Sequence, residues 1–103
     1  MKIQSMTSPR TGKAVANQFI IIDSDNNKYF QSYESVIVKI PRFTGYTVVN
    51  AIEGEIDTRI QLDETYWNYS KTTSKYRNEF LGETTKETQE KINNGTYKLA
   101  NLN

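Results

Sequence analysis

The sequence predicts an α+β fold: one small domain over residues 1–103, an antiparallel sheet of about 4–5 strands, and two short helices in the C-terminal half. Three observations predict it. β-formers, mostly apolar or alternating, fill much of residues 15–63. From residue 70 the apolar period lengthens from two to that of a helix. Gly82 and the Thr84/Glu87 pair then supply a helix stop and a helix start in succession. At 103 residues the chain is long enough for one core and too short for a second.

Residues 7–13 read as a loop punctuated by Pro9 and Gly12. Val15 to Asp23 is a buried strand, and Ser24-Asp25-Asn26-Asn27 is turn chemistry of hairpin length. Lys28 to Tyr33 returns as a second strand, with Tyr29, Gln31 and Tyr33 on one face and Phe30 turned to the core. Ser35 to Ile40 is a short apolar segment ended by Pro41, either a strand or one turn of helix. Ile52 to Asp63 alternates cleanly, with Ile52, Ile56, Ile60 and Leu62 on one face and Glu53, Glu55 and Asp57 on the other. Gly54 is positioned to break it into a hairpin with Thr47 to Ala51.

A helix follows over residues 70–81. Tyr69, Thr73, Tyr76 and Phe80 fall at i, i+4, i+7 and i+11, and Gly82 stands where a C-terminal cap belongs. Thr84 and Glu87 have the spacing of a capping box for a second helix ending near Asn94-Gly95. Tyr97-Lys98-Leu99 is expected to close the sheet as an edge strand.

The composition excludes several chemistries. Cysteine and histidine are both absent, which removes disulfides, thiolate metal sites, the commonest general base and every Cys-His or Ser-His arrangement. No phosphate loop, dinucleotide fingerprint or nucleophile elbow is present. The expectation is a non-enzymatic protein with no cofactor. The longest apolar run, Phe19-Ile20-Ile21-Ile22, is far below the ~20 residues that span a bilayer, so no membrane association is expected. The start, Met1-Lys2-Ile3-Gln4-Ser5, has no apolar signal core, which predicts a cytoplasmic location.

Net charge is only +1 but unevenly spread. Residues 51–66 carry one cation and five anions, whereas residues 67–78 carry Lys71, Lys75 and Arg77 with no acid. The segment Trp67 to Leu81 also holds the single tryptophan and two tyrosines. Aromatics interleaved with hydroxyls and cations suit a recognition surface, and Trp67, Tyr69, Lys71, Lys75 and Arg77 are the candidate contact residues. The stripe of Lys71, Lys75 and Asn78, with Arg77 beside it, could meet phosphates or an acidic protein patch; equally, it is what a solvated helix face looks like. Glu53, Glu55 and Asp57 form a second candidate contact patch for a basic partner, their bland alternative being a polar strand face that blunts edge pairing. No calcium-loop pattern accompanies them, so no metal is assigned. Tyr29, Gln31 and Tyr33 resemble a stacking platform for single strands, though cross-strand packing is the default. A helix-turn-helix is disfavoured, because Glu83, Glu87 and Glu90 would make the reading helix acidic.

The residues Gln31 to Ile37, Leu62, Trp67 to Arg77 and Phe80-Leu81-Gly82 resemble a group of small phage, prophage and plasmid proteins. The resemblance covers residues 13–103, and Trp-x-Tyr-Ser-x-Thr-Thr is its most specific part. It implies a mobile-element protein similar to anti-CRISPR proteins: a steric inhibitor of a host defence nuclease, a type II CRISPR effector, acting in the bacterial cytoplasm. The alternative is a nucleic-acid-binding accessory protein of a phage or plasmid. The resemblance carries over no site residues. Polar edge strands allow a homodimer without requiring one.

Overall fold

The computed structural model describes residues 1–41 and 59–103. Within them the strands are β1 (Lys2–Thr7), β2 (Ala14–Ile22), β3 (Lys28–Ser32), β4 (Ser35–Ile40), β5 (Ile60–Asp63) and β6 (Tyr97–Ala100). Two helices, α1 (Lys71–Leu81) and α2 (Thr85–Asn93), stand between β5 and β6. The strands form one sheet in the order β1-β2-β3-β4-β5-β6.

Two features depart from the expectation of an antiparallel sheet with 4–5 strands: the described sheet has six, and its last pair is parallel. The extra strand is β1, which pairs with β2 from Lys2↔Ile22 to Thr7↔Ala14. Of its six residues only Met6 is buried, so backbone pairing holds it and no apolar period betrays it. The parallel β5–β6 pair requires a crossover, and α1 with α2 supplies one. Side-chain alternation is the same in either strand direction, so it does not encode that choice. The acidic residues Glu53, Glu55 and Asp57, and the proposed hairpin around Gly54, lie outside the described residues.

One face of the sheet carries the core. Phe30, Val38 and Leu62 are fully buried, with Ile37, Tyr97 and Met6 close behind. Between β3 and β4 the register shifts: Phe30 pairs with Val38 and Gln31 with Val36, leaving Ile37 as the extra residue of a bulge. This is why two successive residues, Ile37 and Val38, are both buried in a strand whose side chains would otherwise alternate. Trp67, Tyr76, Phe80, Leu81 and Ile92 pack onto this cluster. The Phe80 ring stacks on Phe30 with centroids 5.7 Å apart. Burying an aromatic such as Phe30 is worth about 2–3 kcal/mol, so this contact anchors α1 to the sheet.

The helix boundaries follow local chemistry. Ser70 caps α1 by accepting from the Thr73 N–H at 3.1 Å, and Gly82 ends it at φ +70°, where a side chain would be strained. Thr84 and Glu87 form the expected capping box of α2. At the far end of the crossover, the Tyr97 hydroxyl donates to Glu83 Oε1, and Lys91 pairs with Glu83 Oε2 at 3.2 Å. Glu83, one of the three acids that argue against a DNA-reading helix, is an almost buried carboxylate tying α2 to β6.

Candidate functional site

The end of β5 sets up the site. Asp63 is buried, and its Oδ2 accepts from the backbone N–H groups of Thr65 and Tyr66 at 3.1 and 2.9 Å. Its Oδ1 accepts from the Leu102 N–H at 2.9 Å and from Asn103 Nδ2 at 3.0 Å. Burial alone would raise the Asp63 pKa, but these hydrogen bonds outweigh it and hold the carboxyl below the usual range. The tight turn that results carries Tyr66 and Tyr69 with their rings edge to face, centroids 5.4 Å apart.

Opposite them lies the two-residue connection between β3 and β4, Tyr33-Glu34, closed by the Ser32↔Ser35 pair. Tyr33 has φ +55°, a region costing a bulky side chain about 1–2 kcal/mol. Its N–H donates to the Asn17 carbonyl at 2.7 Å, and its carbonyl accepts from Gln31 Nε2 at 2.8 Å. Asn17, itself at φ +64°, marks a second irregularity on the same wall.

Between the two walls is a cleft of about 480 Å³, floored by Ser32, Ile37 and Thr73. The Ser32 and Thr73 hydroxyls hydrogen bond to each other at 3.0 Å, pinning the first turn of α1 to β3. Tyr33 and Tyr69 are 53% and 71% exposed, so both rims present aromatic surface to solvent. Among the described lining residues Glu34 alone carries a formal charge, and it too is exposed. Behind the floor, Gln18 pairs across the sheet with Ser32; its amide is fully buried and makes no hydrogen bond among the described residues.

The structure divides the sequence-derived candidates. Tyr69 lies on the cleft rim. Lys71 and Lys75 are exposed, the latter with its ammonium 5.2 Å from the neighbouring Tyr76 ring. Trp67 is half-buried against the core, and Arg77 is fully buried. The placement of Arg77 beside an exposed stripe is therefore corrected. Position 77 lies four residues after the buried Thr73, on the inward face of α1. Its guanidinium sits 5.1 Å over the Trp67 ring and donates to the Trp67 carbonyl, Asn78 Oδ1 and Thr85 Oγ1. Burial lowers its pKa, with the Glu83 charge acting the other way, and the group stays protonated.

The proposed stacking platform is also broken up. Tyr29 donates its hydroxyl to Asp23 Oδ2 at 2.9 Å, and Tyr33 has left the strand for the turn. Residues that sequence reasoning did not bring together with Tyr69 are Tyr33, Glu34 and Tyr66. Two-residue hairpin turns are recognised by Gly or Asn, and Tyr-Glu in that position carries no such signal.

A family model described as "Family of unknown function (DUF8033)" matches residues 1–95, most of the chain. The chain belongs to the DUF8033 family. No curated protein and no solved structure matches it. Among the described residues of this DUF8033 protein, no helix is long and apolar enough to cross a membrane.

Proposed function

We propose that this DUF8033 chain is a non-enzymatic recognition domain that docks a protein partner on the tyrosine-lined cleft and acts by steric blockade. The observation that carries this reading is the pair of exposed rings, Tyr33 and Tyr69, held on opposite rims by strand, turn and helix-cap geometry. Tyrosines fixed on rigid elements offer large contact area at low entropic cost, as protein-contact anchors do. The partner class comes from the resemblance of residues 31–37 and 67–82 to small mobile-element proteins: a host defence nuclease, specifically a type II CRISPR effector. Such effectors hold nucleic acid in basic channels that a small domain can occupy. Co-purification with candidate effectors tests it, with a stable complex and blocked DNA cleavage as the expected result. No complex and no inhibition across several effectors would overturn it.

Nucleic-acid binding through α1 is the second reading, supported by the exposure of Lys71 and Lys75. Without Arg77 that stripe offers two cations, enough for a salt slope of only about −1.8 on duplex DNA. So small an electrostatic term makes protein contact the better-supported reading.

A further inference from the structure

We propose that the cleft receives an arginine side chain of the docked partner, its guanidinium against the tyrosine rings and its N–H donors on Glu34. This rests on the protein-docking reading and names the chemistry of its contact. Aromatic faces attract cations, most strongly where water is partly excluded. Tyr33, Tyr66 and Tyr69 all line the cleft, and no cation lines it among the described residues. Glu34, its formal charge, takes part in no ion pair among the described residues and is free to accept a charge-assisted hydrogen bond. The hydroxyls of Ser32 and Ser35 add neutral acceptors nearby.

The same chain already solves this recognition problem internally. Arg77 is held by stacking on Trp67 and by neutral oxygens, with no carboxylate in direct contact among the described residues. The cleft offers the same combination of ring and oxygen, with Glu34 supplying the nearby negative charge that Glu83 supplies to Arg77. A planar guanidinium exploits such a site better than an ammonium, since it can stack and donate in a fork at once. The positive end of α1 opens at Ser70 and opposes a cation there, which assigns the charged head to the Glu34 side of the cleft.

The test is an amide-shift titration of the full-length, isotope-labelled chain with the peptide acetyl-Gly-Arg-Gly-amide. Acetyl-Gly-Gln-Gly-amide and inorganic phosphate serve as controls. The expected result is saturable shifts at Tyr33, Glu34 and Tyr69 with a dissociation constant of about 1 mM or weaker, absent with the glutamine peptide. Glu34→Gln should weaken binding about ten-fold while moving the melting temperature by less than about 2 °C. Equal shifts with the glutamine peptide, no shifts at all, or phosphate binding in the cleft would overturn the inference. Docking itself is judged separately, by whether Tyr69→Ala breaks the effector complex. Loss of the complex without arginine binding sinks only the inference, whereas arginine binding with an intact Tyr69→Ala complex sinks the docking reading.

Discussion

The Arg77 guanidinium lies 5.1 Å over the Trp67 ring and also donates to the backbone carbonyl of that same tryptophan. One side chain thus fixes both the ring and the chain path of the segment leading into α1. It also reaches Thr85 at the start of α2, so it joins the pre-helix turn, α1 and α2 at a single buried point.

Arg77→Ala should therefore behave as a core substitution. Leaving the Trp67 carbonyl, Asn78 and Thr85 without their donor should cost about 3–5 kcal/mol, read from urea denaturation. Arg77→Lys should recover only part of this, because an ammonium cannot span the fork. Lys71→Ala and Lys75→Ala should each stay within about 0.5 kcal/mol of the parent. A mild Arg77→Ala phenotype would mean that the buried network is not formed in solution.

Asp63 makes stability acid-sensitive. Its folded pKa lies below the unfolded value of about 3.9, so at neutral pH both states are ionised and the contribution is present in full. As pH falls past about 4 the unfolded chain takes up a proton first, and stability declines until the folded carboxyl also titrates. Asp63→Asn should cost about 3 kcal/mol at pH 7 and flatten this acid limb in pH-dependent denaturation. An unchanged acid limb would assign it to other carboxylates.

Tyr97 acts at the opposite end of the scale. Burial first, then the hydrogen bond to Glu83 and its charge, raise the phenol pKa above the ordinary value of about 10. Its contribution is complete below pH 10 and is lost as pH rises towards the folded pKa. Tyr97→Phe should remove that alkaline loss in the same measurement.

The buried Gln18 amide makes no hydrogen bond among the described residues, which costs about 1–3 kcal/mol relative to a satisfied group. Gln18→Met keeps the volume and removes the polar atoms, so the melting midpoint should rise by an amount equivalent to about 1 kcal/mol. A fall in stability would show that the amide has a partner in solution.

What the sequence made legible depended on whether a local rule was at work. The end of α1 and the start of α2 were readable because Gly82, Thr84 and Glu87 act within a few residues of themselves, whereas the Ser70 cap of α1 emerged only from the structure. Phe30 was readable as core from strand alternation. β1 was not, because an edge strand with mostly exposed side chains leaves no pattern. The fate of Arg77 was misread because its charge was given more weight than its helical position opposite the solvent face. Tyr69 could be flagged from its neighbours in sequence. The sequence also marks Tyr33, on a strand face with Tyr29 and Gln31, but not its place across the cleft from Tyr69, since a tertiary approach of a β-turn to a helix cap has no local signature.

Tyr33 offers the most direct test of the central claim that the cleft is a recognition site. Replacing this strained residue by glycine removes a positive-φ penalty of about 1–2 kcal/mol and should leave the fold as stable as before or slightly more so. Tyr33→Gly should melt no lower than the parent yet bind the proposed effector partner at least about ten-fold more weakly. An effector complex that forms equally well with Tyr33→Gly would contradict the claim.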